Sequence, residues 1–185
     1  MAQLPETAER IKSRAPYVSV ITGPGFIHEI PRLVREAMSK NTKRGNARLF
    51  RAVTPARTSA SKDESTQLLP EGLPRQAIPG VNAYVTVMYG CDNFCSYCVV
   101  PYVRGPQVSR SLDAIVREVA GLCQEGYKEI TLLGQNVNAY GMDFDGGPDF
   151  PALLRALDKT PRLSRLRYST SHPRDFTEDM IQAVG

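Results

Sequence analysis

Segments with the pattern of strands alternate with amphipathic helices from residue 83 to the end of the chain. Residues 83–88, 129–133 and 165–169 have the composition of strands, whereas residues 112–122 and 150–157 have helical periodicity. A strand, a crossover helix and another strand predict parallel pairing, so we expect an α/β fold, either a barrel or an open doubly wound sheet. In both architectures, functional side chains gather at the C-terminal ends of the strands.

The chain before residue 83 divides into two parts. Residues 8–14 and 30–39 are predicted helices on either side of a short buried strand at 17–21, which is typical of the end of an α/β unit. Residues 41–80 are rich in Thr, Ser, Pro, Gly, Arg and Lys, a composition typical of a linker. We therefore predict domain boundaries at 1–40, 41–80 and 81–185.

The positive charge of the chain is concentrated in the predicted linker. The formal net charge is +4 over 185 residues. Between residues 41 and 76, seven basic residues face three acidic ones, so this segment accounts for the whole excess. Contact with nucleic-acid phosphates and simple solvation of a linker are both compatible with this pattern. The basic residues are Lys43, Arg44, Arg48, Arg51, Arg57, Lys62 and Arg75.

Three cysteines follow the strand at 83–88 in a C-x3-C-x2-C pattern: Cys91, Cys95 and Cys98. A structural zinc site needs four ligands, whereas a four-iron, four-sulfur cluster held by three thiolates keeps one iron open. The fourth cysteine, Cys123, lies on the apolar face of a predicted helix, where core packing is expected. Residues 1–6 do not show a basic region followed by an apolar run, and no apolar stretch approaches membrane-spanning length. We therefore predict reduced thiols and a cytoplasmic location.

Polar side chains follow the other two predicted strands. Gln135, Asn136 and Asn138 come after the strand at 129–133, and His172 follows the strand at 165–169. Parallel strands would bring these side chains to the edge where the cysteine loop begins. Two alternatives to an enzyme stay open: a zinc module that adds Cys123 or His172 to the three cysteines, and a non-catalytic truncated product.

The cysteine loop, with an aromatic residue before its last cysteine, resembles the signature of the radical S-adenosylmethionine (SAM) superfamily. The flanking segments narrow the resemblance to the MiaB-type tRNA methylthiotransferase family, across nearly all of residues 83–184. This resemblance implies a partial radical SAM (β/α) barrel, preceded by the end of an α/β methylthiotransferase N-terminal domain. The segments that carry the resemblance are residues 89–105, Ser109-Arg110, residues 126–129, Leu132-Leu133-Gly134-Gln135-Asn136-Val137-Asn138 and Thr170-Ser171-His172-Pro173.

The resemblance also implies an activity and its cofactors. The family adds a 2-methylthio group to an isopentenylated adenosine next to the anticodon of tRNA, with electrons from a donor that the sequence does not identify. A 4Fe-4S cluster on Cys91, Cys95 and Cys98 would bind exchangeable SAM. Tyr97 would lie beside the adenine, and Gln135, Asn136 and Asn138 would help to seat SAM. The implied protein is a monomer that binds tRNA and no membrane, and no side chain is assigned as catalytic.

Parts of the family pattern are missing from this chain. The family's auxiliary 4Fe-4S cluster uses three cysteines that would precede Met1, and residues 1–90 contain no cysteine. The remaining barrel strands and the C-terminal RNA-binding TRAM domain would follow Gly185. We therefore expect a fragment of the enzyme that does not complete sulfur insertion alone. At Pro106-Gln107 the chain also departs from its relatives, which usually carry charged residues there.

Overall fold

The computed structural model describes residues 5–22, 29–41, 49–50 and 80–185. The chain divides into two compact units. The first unit comprises residues 1–70 and 97–105, and the second comprises residues 71–96 and 106–185. The tripartite division predicted from composition stays a prediction.

The first unit contains two helices and a short parallel strand pair. Helix α1 spans Pro5–Arg14 and α2 spans Ile30–Asn41, while β1 (Val20–Ile21) pairs with β2 (Leu49–Phe50). A one-turn helix, α3 (Val100–Val103), also belongs to this unit. The prediction of a buried strand at 17–21 was wrong in length and burial, because Tyr17 is 84% exposed and only two residues pair.

The predicted linker falls mostly outside the described residues, which omit 42–48 and 51–79. All of its basic residues from Lys43 to Arg75 lie outside the described residues. Strand β2 lies within this segment and was not predicted. Its two residues, Leu49–Phe50, are too few to show a periodic pattern.

The second unit is built on a three-stranded parallel sheet with the order β3-β6-β7. Strand β3 is Asn82–Thr86, β6 is Glu129–Leu133 and β7 is Arg165–Tyr168. Strand β6 is central: Thr86 pairs with Leu133 on one side, and Leu132 pairs with Tyr168 on the other. The predicted parallel α/β arrangement is confirmed.

A second, antiparallel pair flanks the cysteine loop. Strand β4 (Met88–Tyr89) pairs with β5 (Val108–Ser109). The predicted strand at 83–88 is therefore two strands, interrupted at Val87. The Val87 N–H donates to the Leu133 carbonyl, whereas its own carbonyl accepts from the Arg110 N–H. Leu133 lies in β6 and Arg110 directly follows β5, so the chain passes from one sheet to the other at Val87.

Three helices of the second unit begin at capping side chains. Helix α4 is Leu112–Gln124, α5 is Phe150–Asp158 and α6 is Glu178–Val184. The side-chain oxygens of Ser111, Asp149 and Thr177 each accept a hydrogen bond from a backbone N–H in the first turn of the respective helix. Each side chain satisfies a backbone donor that the helix itself leaves without a partner. None of the helices in the described ranges has the length and apolar character needed to cross a membrane.

The core of the second unit lies between the sheet and these helices. Cys123 is 1% exposed within this core, which confirms its predicted role in packing. Burial raises the pKa of the Cys123 thiol, although the nearby Lys128 charge acts in the opposite direction. The fully buried apolar side chains of this core include Val85, Val87, Met88, Ile115, Val119, Ile130, Leu132, Phe150, Leu153 and Leu157.

We predict that Ile130→Ala destabilises the second unit by about 2–5 kcal/mol, because it leaves a cavity beside the central strand. The matched control is Ile181→Ala on α6, where the same side chain is 55% exposed and Ile130 is 0% exposed. Urea denaturation followed by circular dichroism measures both variants. Equal losses in the two variants would contradict the central place of β6 in the core.

Candidate functional site

The loops that follow β6 and β7 are hydrogen-bonded to each other at the C-terminal edge of the sheet. The Val137 N–H donates to the Thr170 carbonyl at 3.2 Å, and the Thr170 hydroxyl donates to the Gly134 carbonyl at 2.6 Å. Thr170 has a positive φ of 66°, which is uncommon for a β-branched residue. The hydroxyl bond offsets part of that conformational cost, so the loop keeps a defined path.

Asn138 joins the same two loops through its side chain. Its amide nitrogen donates to the His172 carbonyl and its amide oxygen accepts from the His172 N–H, each at 2.8 Å. Asn138 is 5% exposed, so these bonds form away from water. Both ends of the amide are therefore used to hold the His172 backbone.

The cysteine loop contacts this edge through Cys95. The Cys95 Sγ lies 3.6 Å from the Nε2 of His172, a contact that the sequence did not predict. The Asn93 N–H donates to the Cys91 Sγ at 3.3 Å, and no disulfide joins any of the four cysteines. Cys91 and Cys95 belong to the second unit, whereas Cys98 belongs to the first.

The described residues contain no group of three or more His, Cys, Asp or Glu side chains close enough together to hold a metal ion. The ligand set of Cys91, Cys95 and Cys98 therefore stays a prediction. Its chemistry still fits an iron-sulfur cluster, because three reduced cysteines lie in one short loop after a buried strand.

Asp175 is a buried carboxylate on which three side chains converge. Its Oδ2 accepts from the amide nitrogen of Asn93 at 2.9 Å and from that of Asn136 at 2.6 Å. Its Oδ1 accepts from the Nε of Arg174 at 3.3 Å. Burial alone would raise the pKa of Asp175, but these hydrogen bonds and the Arg174 charge outweigh it and lower the pKa. The carboxylate is therefore held in its ionised form.

Two buried amide oxygens in the loop after β6 have no hydrogen-bond donor among the described residues. They are the Oε1 of Gln135 and the Oδ1 of Asn136. A buried acceptor without a partner costs about 1–3 kcal/mol. Such atoms are uncommon in folded proteins, and a bound group that donates hydrogen bonds is one way to satisfy them. Both residues were predicted from the sequence to contact a cofactor.

A polar cavity of about 110 Å³ lies between the cysteine loop and the loops after β6 and β7. Its walls contain three carboxylates, three side-chain amides and one guanidinium group. These groups suit a polar ligand. Only Ala139 and Met142 contribute apolar side chains. The lining residues are Asp92, Asn93, Gln107, Asn136, Ala139, Met142, Asp143, Arg174 and Asp175.

Gln107 and Asp143 close one side of this cavity. The Gln107 Nε2 donates to the Ala139 carbonyl at 2.6 Å and to the Asp143 carboxylate at 3.2 Å. The same carboxylate accepts from the Ser109 N–H at 2.9 Å and from the Ser109 hydroxyl at 2.6 Å. The Gln107 side chain acts only as a donor in these contacts, a role that a carboxylate could not take.

The structure brings together some of the residues predicted from the sequence and adds others. The loops of Gln135, Asn136, Asn138 and His172 meet as predicted. Tyr97 is 89% exposed and belongs to the first unit, so its contact with adenine stays a prediction. Four further members of the network were not predicted from the sequence: Asn93, Asp143, Arg174 and Asp175. Asn93 lies inside the cysteine motif, and that position was the one available signal.

We predict that Gln107→Glu lowers the free energy of unfolding by about 1–3 kcal/mol, because a carboxylate would face the Ala139 carbonyl and the Asp143 carboxylate. The matched control is Gln124→Glu, the same change at an exposed position at the end of α4. Adding Asp143→Asn to Gln107→Glu restores a donor and recovers part of the loss. Chemical denaturation of the four proteins measures this, and an unchanged stability in Gln107→Glu would contradict the contacts.

Comparison with known proteins places these features in a family. The model of the radical SAM superfamily matches residues 85–184. The chain is 41% identical over 184 residues to the tRNA-2-methylthio-N(6)-dimethylallyladenosine synthase of Moorella thermoacetica, and 42% identical over 184 residues to that of Acetivibrio thermocellus. Each alignment covers 100% of this chain, but only 38% and 35% of the respective relative. The chain thus spans little more than a third of the length of these relatives.

A solved structure shows the same fold. The radical SAM methyltransferase TsrM from Kitasatospora setae, with tryptophan substrate and a SAM analogue bound, superposes with a TM-score of 0.56 and 20% identity. The alignment covers 89% of this chain and 34% of TsrM. With the superfamily model matching more than half of its residues, and with a cysteine loop after the first strand of a parallel sheet, the chain belongs to the radical SAM superfamily.

Proposed function

We propose that the chain is part of a radical SAM tRNA methylthiotransferase that adds a 2-methylthio group to isopentenylated adenosine next to the anticodon. The observation that carries the proposal is the C-x3-C-x2-C loop that follows β4, together with two buried acceptors in the loop after β6 that have no donor among the described residues. The names of the relatives from Moorella and Acetivibrio support the choice of reaction within the superfamily.

Cys91, Cys95 and Cys98 would hold a 4Fe-4S cluster. With SAM bound, such a cluster would supply the electron for the reductive cleavage of SAM. TsrM has been solved with a 4Fe-4S cluster bound, which supports the same kind of centre here. An auxiliary cluster that delivers the sulfur belongs to the proposal for the whole enzyme.

The side chains of the loop after β6 would bind SAM. The Gln135 Oε1 and the Asn136 Oδ1 are acceptors that suit hydrogen-bond donors of SAM. We assign Asn138 an indirect part, because both ends of its amide already hold the His172 backbone. Tyr97 would stack beside the adenine.

The proposed partners are tRNA, SAM and an electron donor. The basic residues between Lys43 and Arg75 would contact tRNA phosphates, because they carry the excess positive charge of the chain. A cytoplasmic location and a monomeric state complete the proposal.

We expect Cys91→Ala, Cys95→Ala and Cys98→Ala each to abolish cluster reconstitution, because a site with three ligands has no spare one. Cys123→Ala is the control, since this thiol lies in the core and away from the loop. Iron and sulfide analysis after anaerobic reconstitution measures cluster content. Production of 5′-deoxyadenosine from SAM with a chemical reductant then measures the chemistry.

Two outcomes would contradict the proposed cluster. Full iron content in any of the three single variants would remove that cysteine from the ligand set. A colourless protein that binds stoichiometric zinc, and loses it in Cys123→Ala or in a His172 variant, would favour the zinc module instead.

Replacing Lys43, Arg44, Arg48 and Arg51 together by Gln should weaken tRNA binding and reduce the salt dependence of affinity, because each phosphate contact releases counterions. Filter binding across a salt series measures both quantities. A second variant removes four exposed charges from the second unit, so that the change in net charge is the same. If tRNA affinity depended on salt concentration equally in the two variants, the linker charges would be solvated and would not contact tRNA phosphates. The control positions are Arg117, Lys128, Lys159 and Arg162.

A further inference from the structure

We infer that His172 is a positioning residue that donates a hydrogen bond from its Nε2 to the sulfur of Cys95 and thereby raises the reduction potential of the proposed cluster. The inference rests on the proposed function, because Cys95 is one of the proposed cluster ligands. It places His172 outside the ligand set, since the ring faces the sulfur with an N–H group and so binds no iron.

The two ring nitrogens of His172 have different partners. The Nδ1 accepts a hydrogen bond from the backbone N–H of Arg174 at 3.2 Å, at the start of a single-turn helix at Pro173–Asp175. In a neutral imidazole one nitrogen accepts hydrogen bonds and the other carries the proton. An acceptor at Nδ1 therefore assigns the proton to Nε2.

The protonated nitrogen is the one that lies against the cysteine loop. The Nε2 is 3.6 Å from the Cys95 Sγ, a distance that suits a hydrogen bond to sulfur because sulfur is larger than oxygen. A cysteine that binds a metal does so as a thiolate. An N–H donor forms a stronger hydrogen bond with an ionised acceptor than with a neutral one. The contact between His172 and Cys95 should therefore strengthen when Cys95 binds iron.

The backbone of His172 is held in place independently of its ring. The Asn138 side chain donates to the His172 carbonyl and accepts from the His172 N–H, each at 2.8 Å. Pro173 restricts the preceding residue to extended conformations, and His172 has φ −107° and ψ 131°. The ring is therefore directed at the sulfur by bonds on both sides of it.

A donor at this position favours the reduced state of the cluster. Reduction adds one electron, so the cluster and its thiolates become more negative and attract the N–H group more strongly. Hydrogen bonds to the sulfurs are among the factors that set the potentials of iron-sulfur clusters. The Asn93 N–H also donates to a cysteine sulfur, that of Cys91, and this backbone bond remains when His172 is replaced.

The test is a redox titration of the anaerobically reconstituted chain with dithionite, followed by electron paramagnetic resonance (EPR). His172→Leu should lower the equilibrium constant for one-electron reduction by about tenfold, or about 59 mV, the loss expected for one hydrogen bond to a charged group. His172→Gln should keep most of the wild-type potential, because its amide nitrogen still donates. Ser171→Ala, an exposed side chain in the same loop, is the matched control and should keep the wild-type value.

A second measurement uses the reduced wild-type protein and does not depend on how well the Leu variant folds. Pulsed EPR of protein labelled with ¹⁵N-histidine should show a weak nitrogen coupling, as expected for a ring bonded to a cluster sulfur. The coupling should disappear in His172→Gln, which distinguishes His172 from the other histidine, His28.

Several results would overturn the inference. They are an unchanged potential in His172→Leu, an equal shift in the Leu and Gln variants, and the absence of a histidine coupling in the wild-type protein. A strong coupling, with loss of iron from both variants, would make His172 a ligand and would overturn it as well. If the reconstituted wild-type protein formed no 4Fe-4S cluster, the proposed function would be wrong, and this inference with it.

Discussion

The central position of β6 is the constraint on which the second unit depends. Its backbone is paired with β3 on one side and with β7 on the other, and its side chains Ile130 and Leu132 are fully buried. Because all three strands run parallel, their following loops leave the sheet at one edge. The cysteine loop, the loop at residues 134–138 and the loop at residues 170–175 are neighbours for this reason.

Once the loops meet, buried polar side chains determine their relative positions. Asn138 holds the backbone of His172 and Asp175 holds the amides of Asn93 and Asn136, all within hydrogen-bond distance. Buried charged and amide groups gain stability from such pairing. These bonds fix the loops relative to one another, and this suits the positioning of a reactive cofactor.

The strand and helix pattern of the second unit was readable because its signals are local. Strand β6 has the predicted bounds, and α4 and α5 begin at predicted residues, since apolar periodicity and capping residues act over a few positions. The two-residue strands β4 and β5 were not predicted, because they pair across the cysteine loop. Short strands of this kind show no period of their own.

The site was predictable in outline and not in detail, for a related reason. Motif residues such as Gln135 and Asn136 were recognisable from their place after a strand. Asp175 has partners 39 and 82 residues away along the chain, and no local pattern encodes such pairings. The burial of the predicted strand at 17–21 was overestimated, since apolar composition does not show how many neighbours a strand will have.

The close packing at Gly134 links two positions that are distant in sequence. A Cβ atom at residue 134 would lie 2.7 Å from the Cγ of Met88 and 3.4 Å from the Cα of Val137. The absence of a side chain lets the strand after β3 pass directly over the start of the loop that carries Gln135 and Asn136. Residues 88 and 134 are therefore expected to covary during evolution: a side chain at 134 becomes compatible with this loop only when residue 88 is smaller.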